Sequence, residues 1–154
     1  MGREAGLPLL YHWQQPVSHI QSERNRMKGK ILIVEDNPRN MRLVEMTLKA
    51  KHYTLLRATD GEEALEIAVR DKPDLIIMDI RLPKASGLEV TRRLRQMPAF
   101  CHTPIIAVTA SAMKGDRKKV IEAGCDAYLS KPINTRELPG VIAEMLSQRQ
   151  KDNP

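Results

Sequence analysis

Aromatic side chains are nearly missing from this chain: one Phe, one Trp and three Tyr make up 3% of its 154 residues. Any core it builds must be aliphatic. Only two cysteines occur, Cys101 and Cys125. Their separation suits no metal-ligand motif, and nothing marks an oxidising compartment, so reduced thiols and a cytoplasmic location are expected. No apolar run approaches the ~20 residues that a membrane span needs, so no membrane insertion is expected. The apolar piece LPLLY at residues 7–11 is too short for a signal-peptide core, and no small-residue cleavage site follows it.

What is present is ordinary for a soluble globular protein: 42% apolar and 29% charged residues. The length suits one domain with a real core and is too short for two comfortable ones. A net charge of +6 and a pI near 9.5 raise the question of nucleic acid. The basic residues are scattered over prospective helix faces, however, so direct nucleic-acid binding is not expected. Residues 1–28 carry Pro8 and Pro16 and hold no lasting periodicity, and they read as a disordered N-terminal extension. Leu9, Leu10 and Trp13 could form a short docking segment there, and Met27 could serve as an alternative start. A domain over 29–149 and a C-terminal tail at 150–154 complete the expected organisation.

From Lys30 the pattern alternates. KILIVE, TLLRAT, DLIIMD, TPIIAVTA and DAYLS read as strands, and each is followed by a helical stretch. The fourth such stretch, SAMKGDRKKVIEAG, begins on a Ser cap at Ser111 and ends on Gly124. The last runs from Thr135 to Arg149, with Pro139 in its first turn, where a missing N–H costs little. Five strand–helix repeats predict an α/β fold with a doubly wound, five-stranded parallel sheet. Runs such as ILIV, LIIM and PIIAV suit strands buried on both sides. Ligands of such folds bind beyond the carboxyl ends of the strands, near a topological switch point.

The stretch LIIMDIRLPKASG then stands out, because an apolar run made for burial finishes on Asp79. Across the strand ends, Glu35 and Asp36 follow strand one, Asp79 strand three, Thr109 strand four and Lys131 strand five. A single acid at a strand end can equally be a helix cap, and Lys131 could be a surface lysine. Jointly they describe one crevice. Two carboxylates 4 Å apart repel by about 4 kcal/mol at an effective dielectric of 20, a cost that a cation relieves. An oxygen-only ligand set suits Mg²⁺. Lys131 adds a compact positive charge and Thr109 a hydroxyl, completing a cradle for a phosphoryl group with Asp79 as nucleophile.

ILIVEDN, LIIMDIRLPKASG, AVTASAMKGD and AGCDAYLSKPI together resemble the signature blocks of the response-regulator receiver domain, the CheY-like superfamily of two-component signalling. The resemblance spans about Lys28 to Arg149, with DivK-type regulators and the receiver domains of hybrid kinases the most similar members. It implies a strand order of 2-1-3-4-5 and a single-domain response regulator. Asp79 would be phosphorylated by a sensor histidine kinase or a histidine phosphotransfer protein. The resemblance further implies that Glu35, Asp36, Asp79 and the backbone carbonyl of Arg81 hold Mg²⁺. Thr109 would hydrogen-bond the phosphoryl oxygens, Lys131 would pair with them, and Lys131–Pro132 would be a cis peptide. Thr109 and Tyr128 would form a switch that alters the helix 4/strand 5/helix 5 surface for a downstream protein partner.

Kinase docking would use the start of helix one, around Asn37, Pro38 and Met41, and a monomer is the default oligomeric state. A haloacid-dehalogenase phosphatase would want a second acid where Arg81 stands. A nucleotide-binding relative would want glycine in VEDNPRN, which has none. A pseudo-receiver that has lost phosphorylation would not be expected to keep the whole set of rim residues.

Overall fold

A computed structural model describes residues 28–110 and 114–152. Residues 1–27 of the expected N-terminal extension and the Ser111 cap lie outside the described residues, whereas Lys28, its last residue, donates its N–H to the His52 carbonyl at 2.9 Å. The elements are β1 (Lys30–Val34), α1 (Pro38–Lys49), β2 (Thr54–Ala58), α2 (Gly61–Asp71), β3 (Leu75–Asp79), α3 (Gly87–Gln96), β4 (Ile105–Thr109), α4 (Lys114–Ala123), β5 (Ala127–Ser130) and α5 (Leu138–Asp152). A short 3₁₀ turn, Pro98–Phe100, which the sequence pattern did not announce, leads from α3 towards β4.

All strand pairs are parallel, and the sheet order is β2-β1-β3-β4-β5, as expected. β3 and β4 are buried along their whole length, which explains their continuous aliphatic runs. The chain moves one way across the sheet from β1 to β2 and the other way from β2 through β5. Right-handed crossovers therefore place α1 on one face and α2, α3 and α4 on the other. The two cores follow the two-residue period of the strands. Ile31, Ile33, Leu75, Ile77, Ile106 and Val108 pack with Met41, Val44 and Leu48 of α1 and with Leu138 and Ile142 of α5. Leu32, Val34, Ile76, Met78, Ile105 and Ala107 pack against α2, α3 and Val120 of α4.

Local chemistry sets the helix ends. Asn37 Oδ1 accepts the Arg39 and Asn40 N–H groups, and Pro38 opens α1. Asp60 accepts the Glu63 N–H at 2.8 Å, while Glu63 reaches back to the N–H and hydroxyl of Thr59. Ser86 caps α3. Lys72 ends α2 in the left-handed conformation at φ 48°.

One boundary needs correction: α5 runs to Asp152, through the first part of the expected 150–154 tail. Arg149 Nη1 donates to the Asp74 carbonyl at 2.7 Å and also meets its carboxylate, so the last turns are tied to the loop that enters β3. A similar tie lies one layer away. Arg95 donates to the carbonyls of Gly124, Phe100 and Thr103 and to Asp126 Oδ2, clamping α3, the 3₁₀ turn and the entry to β5 together.

Candidate functional site

The direction of the chain reverses between β1 and β3, and their carboxyl ends part there into a crevice. Asp79, the last residue of β3, is 3% exposed, and Glu35, the residue after β1, is 4% exposed. Asp36 beside it faces solvent. The three carboxylates offer oxygens that lie within 4.8 Å of one another. Sequence reasoning expected this convergence, and the register of β1 on β3, with Val34 beside Met78, produces it.

The buried acids are not left bare. Lys131 Nζ donates to Asp79 Oδ2 at 2.9 Å and sits 3.3 Å from Glu35 Oε2. The Arg81 N–H donates to Asp79 Oδ1 at 3.0 Å, and the Asn37 N–H donates to Glu35 Oε1 at 3.1 Å. Burial pushes the Glu35 carboxyl above its ordinary value, and the Asp79 charge adds to the rise, against the pull of the Asn37 N–H and Lys131. Burial alone would lower the Lys131 ammonium, but its hydrogen bond to Asp79 and the charges of Asp79 and Glu35 outweigh it and raise it.

Of the remaining expected residues, Thr109 and Lys131 border the crevice and Tyr128 lies farther back along β5. Thr109 ends β4 and is buried, and its carbonyl accepts the Lys131 N–H at 2.7 Å. The Lys131–Pro132 peptide is cis, as expected. Tyr128 lies on β5, paired in register with Ala107, and is half-buried against the α2–α4 core. Arg81 is exposed, and its role in the frame of the site is its N–H.

Two contributions escaped sequence reasoning. Asn37 serves the site through its backbone, which no residue type announces. Gly87 opens α3 against the Asp79 main chain. A glycine at the first helical position, where it costs stability, was the available signal.

Hard oxygen donors converging on one point, with neighbouring N–H groups taking up the other lone pairs, fit Mg²⁺. A parallel sheet of this order carries an acid triad and a lysine at its switch point. The chain belongs to the response-regulator receiver-domain family, whose model matches residues 31–143. It is thus a component of two-component phosphorelay signalling, a family partnered with histidine kinases or phosphotransfer proteins.

It is 49% identical over 108 residues to the polar-differentiation response regulator DivK of Brucella anthropi, covering 70% of this chain and 88% of that one. Its fold is similar to the receiver domain of a sensor histidine kinase from Pseudomonas aeruginosa, described with a magnesium ion coordinated in the active-site cleft. That pair shares 38% identity at a TM-score of 0.72, covering 77% of this chain and 98% of the other. The chemotaxis response regulator CheY4 of Vibrio cholerae gives a TM-score of 0.74 at 28% identity, covering 78% and 99%. The phosphatase and nucleotide-binding readings fall with these matches. Among the described residues no helix is long and apolar enough to cross a membrane.

Proposed function

We infer that Asp79 accepts a phosphoryl group from a phosphohistidine on a sensor histidine kinase or histidine phosphotransfer protein, and that the chain promotes its own phosphorylation and dephosphorylation. The observation that carries this reading is a buried carboxylate held by Lys131 at 2.9 Å, with two further acids within 4.8 Å. Asp79 attacks phosphorus, the P–N bond breaks with its electron pair left on the imidazole, and an acyl phosphate forms. Such transfer passes through a loose transition state, so positioning and charge neutralisation carry the catalysis.

Glu35, Asp36, Asp79 and the carbonyl of Arg81 are the groups that would hold Mg²⁺, which supplies positive charge to the phosphoryl oxygens when bound. The Arg81 N–H fixes one oxygen of Asp79 and so orients the carboxylate. Lys131 neutralises charge on the transferred group, and the Thr109 hydroxyl donates to it.

Thr109 and Tyr128 share one face of the sheet on adjacent strands, since Thr109 follows Ala107 by one strand period and Ala107 pairs with Tyr128. Inward movement of Thr109 on phosphorylation then makes room that Tyr128 follows. The surface of α4, β5 and α5 changes for a downstream protein partner, a two-state element biased by a local charge. Taking it from mostly off to mostly on needs about 5.5 kcal/mol of differential stabilisation. The phosphodonor docks at the start of α1, where a cavity of about 780 Å³ runs from Glu35 and Asp36 past Met41, Arg42 and Met46. The site of action is the cytoplasm.

Incubation with acetyl phosphate and Mg²⁺, wild type beside Asp79→Asn, tests the reaction. One acid-stable, alkali-labile phosphate on the wild type alone is expected. Labelling of both proteins, or of neither, overturns the assignment. For the switch, beryllofluoride with Mg²⁺ is expected to shift the amide resonances around Tyr128, and their constancy would count against it.

A further inference from the structure

Gly87 makes an unusually close approach to the residue that carries the chemistry. A Cβ at this position would stand 2.1 Å from the Asp79 carbonyl oxygen, 2.9 Å from the Asp79 carbonyl carbon and 3.0 Å from the Ile80 Cα. The Gly87 N–H also donates to the Ile80 carbonyl at 2.9 Å. The first residue of α3 is therefore seated directly on the main chain of the phosphoacceptor.

We propose that Gly87 is a positioning residue for phosphoryl transfer: by lacking a side chain it lets α3 hold the Asp79–Ile80–Arg81 backbone in the register that aims the Asp79 carboxylate at Lys131 and the two acids. This rests on Asp79 being the phosphoacceptor. The argument turns on which partner yields when a methyl group is added. Real Cβ atoms essentially never come closer than 3.0 Å, so the contact must open by roughly 1 Å. α3 has little room to retreat. Val90 is 1% exposed, and Thr91 and Leu94 are 0% exposed, so the helix is set in the core for two turns behind Gly87.

Thr91 adds a second restraint, since its hydroxyl donates to the Gly87 carbonyl at 2.8 Å. The displacement therefore falls mainly on the Asp79–Ile80 peptide. That peptide precedes the Arg81 N–H, which holds Asp79 Oδ1 at 3.0 Å. A shift there turns the carboxylate away from Lys131 Nζ, now 2.9 Å from the other oxygen.

The test compares wild type, Gly87→Ala, Gly87→Ala with Val90→Ala, and Ser86→Ala. The last weakens the α3 cap without approaching the Asp79 carbonyl. Each is assayed for phosphorylation rate from acetyl phosphate, for Mg²⁺ affinity by titration of amide resonances, and for thermal stability. A misplacement of about 1 Å can cost a hundredfold, so a loss of at least about tenfold in rate is expected for Gly87→Ala. Shifted amides at Ile80 and Arg81 and weaker Mg²⁺ binding are expected with it. Ser86→Ala should stay within about twofold in rate.

Truncating Val90 gives α3 room to recede. The double variant should then recover rate over Gly87→Ala while becoming less stable, an opposition that a purely structural role does not produce. Should Gly87→Ala not fold, Thr91→Val replaces it, with a loss of about threefold in rate expected from a loosened first turn of α3. Rates within twofold of wild type in Gly87→Ala, or in Thr91→Val where that stands in, overturn the inference. So does a double variant that is worse in both rate and stability, or a Ser86→Ala loss equal to that of Gly87→Ala. A wild type that takes no phosphate at all overturns the reading of Asp79 instead.

Discussion

Replacing Lys131 with methionine keeps an unbranched chain and removes one charge, which isolates the electrostatics of the rim. At an effective dielectric of 20, the ammonium attracts Asp79 at 2.9 Å and Glu35 at 3.3 Å by about 6 and about 5 kcal/mol. These are gross figures, and desolvation of all three groups offsets most of them. Removing one partner of a buried ion pair leaves uncompensated charge and costs about 3–5 kcal/mol. The Lys131 side chain is 22% exposed, so the lower end applies and about 3 kcal/mol is expected near neutral pH. With a urea dependence of about 2 kcal/mol per molar, the unfolding midpoint should fall by roughly 1.5 M.

The loss must also depend on pH. Glu35 is already raised by burial, and the substitution takes away both the charge and the hydrogen bond of Lys131, which hold it down. A carboxyl whose folded pKa lies above its unfolded value contributes stability that is complete below the unfolded pKa and lost as pH rises through the folded one. Lys131 itself is raised, so its contribution in the wild type persists through this whole window. The deficit of Lys131→Met should therefore be smaller at acid pH, where Glu35 is protonated, and grow as pH rises towards and past neutrality. Urea unfolding followed by far-ultraviolet circular dichroism in EDTA measures it. A deficit equal at both ends of that range, or none at all, would refute the electrostatic reasoning. Mg²⁺ should stabilise the variant more than the wild type, because the carboxylates then have no ammonium to offset them.

Asp36→Ala should weaken Mg²⁺ binding by at least about tenfold by amide titration while leaving stability within about 0.5 kcal/mol in EDTA, since this acid is exposed. Arg95→Met withdraws donors from three carbonyls and from Asp126, and should cost about 3 kcal/mol in urea unfolding with the Mg²⁺ affinity unchanged. Burial pushes the Cys125 thiol up to about 11, whereas Cys101 is exposed. At neutral pH a thiol reagent should therefore label one cysteine rapidly in the folded chain and two after unfolding. Rapid modification of both in the native protein would contradict the packing of Cys125 against Thr91.

The elements and their order were legible because β1, β3 and β4 announced themselves by continuous aliphatic runs and strand-like and helix-like stretches alternated along the chain. The rim residues were legible for a related reason: in a parallel sheet the carboxyl end of every strand points to one edge, so strand ends name their neighbours. What could not be read was which partner each group takes. Lys131 reaches Asp79 across 52 residues of sequence, and Arg149 reaches Asp74 across 75. The second contact ties the last turns of α5 to the loop before β3, and the helix runs three residues past Arg149, where the sequence pattern ended it. The Asn37 N–H acts through the main chain, on which composition and periodicity are silent, and Gly87 left only its residue type as a signal.

The same geometry explains why the acids sit where they do. Three carboxylates within 4.8 Å oppose folding by mutual repulsion, and a chain selected for stability alone would replace them. Lys131 relieves part of that repulsion in the resting state, with the same ammonium that, on the proposed reading, would meet an incoming phosphoryl oxygen. Its flexible stem would let it follow charge from carboxylate to phosphoryl without rebuilding the pocket, whereas the buried acids are each held by a backbone N–H, of Arg81 and of Asn37. On this reading, mobility at the acids' end of the pocket resides in Lys131, whose partner changes during the reaction. Rigidity belongs to the groups that must hold still for it.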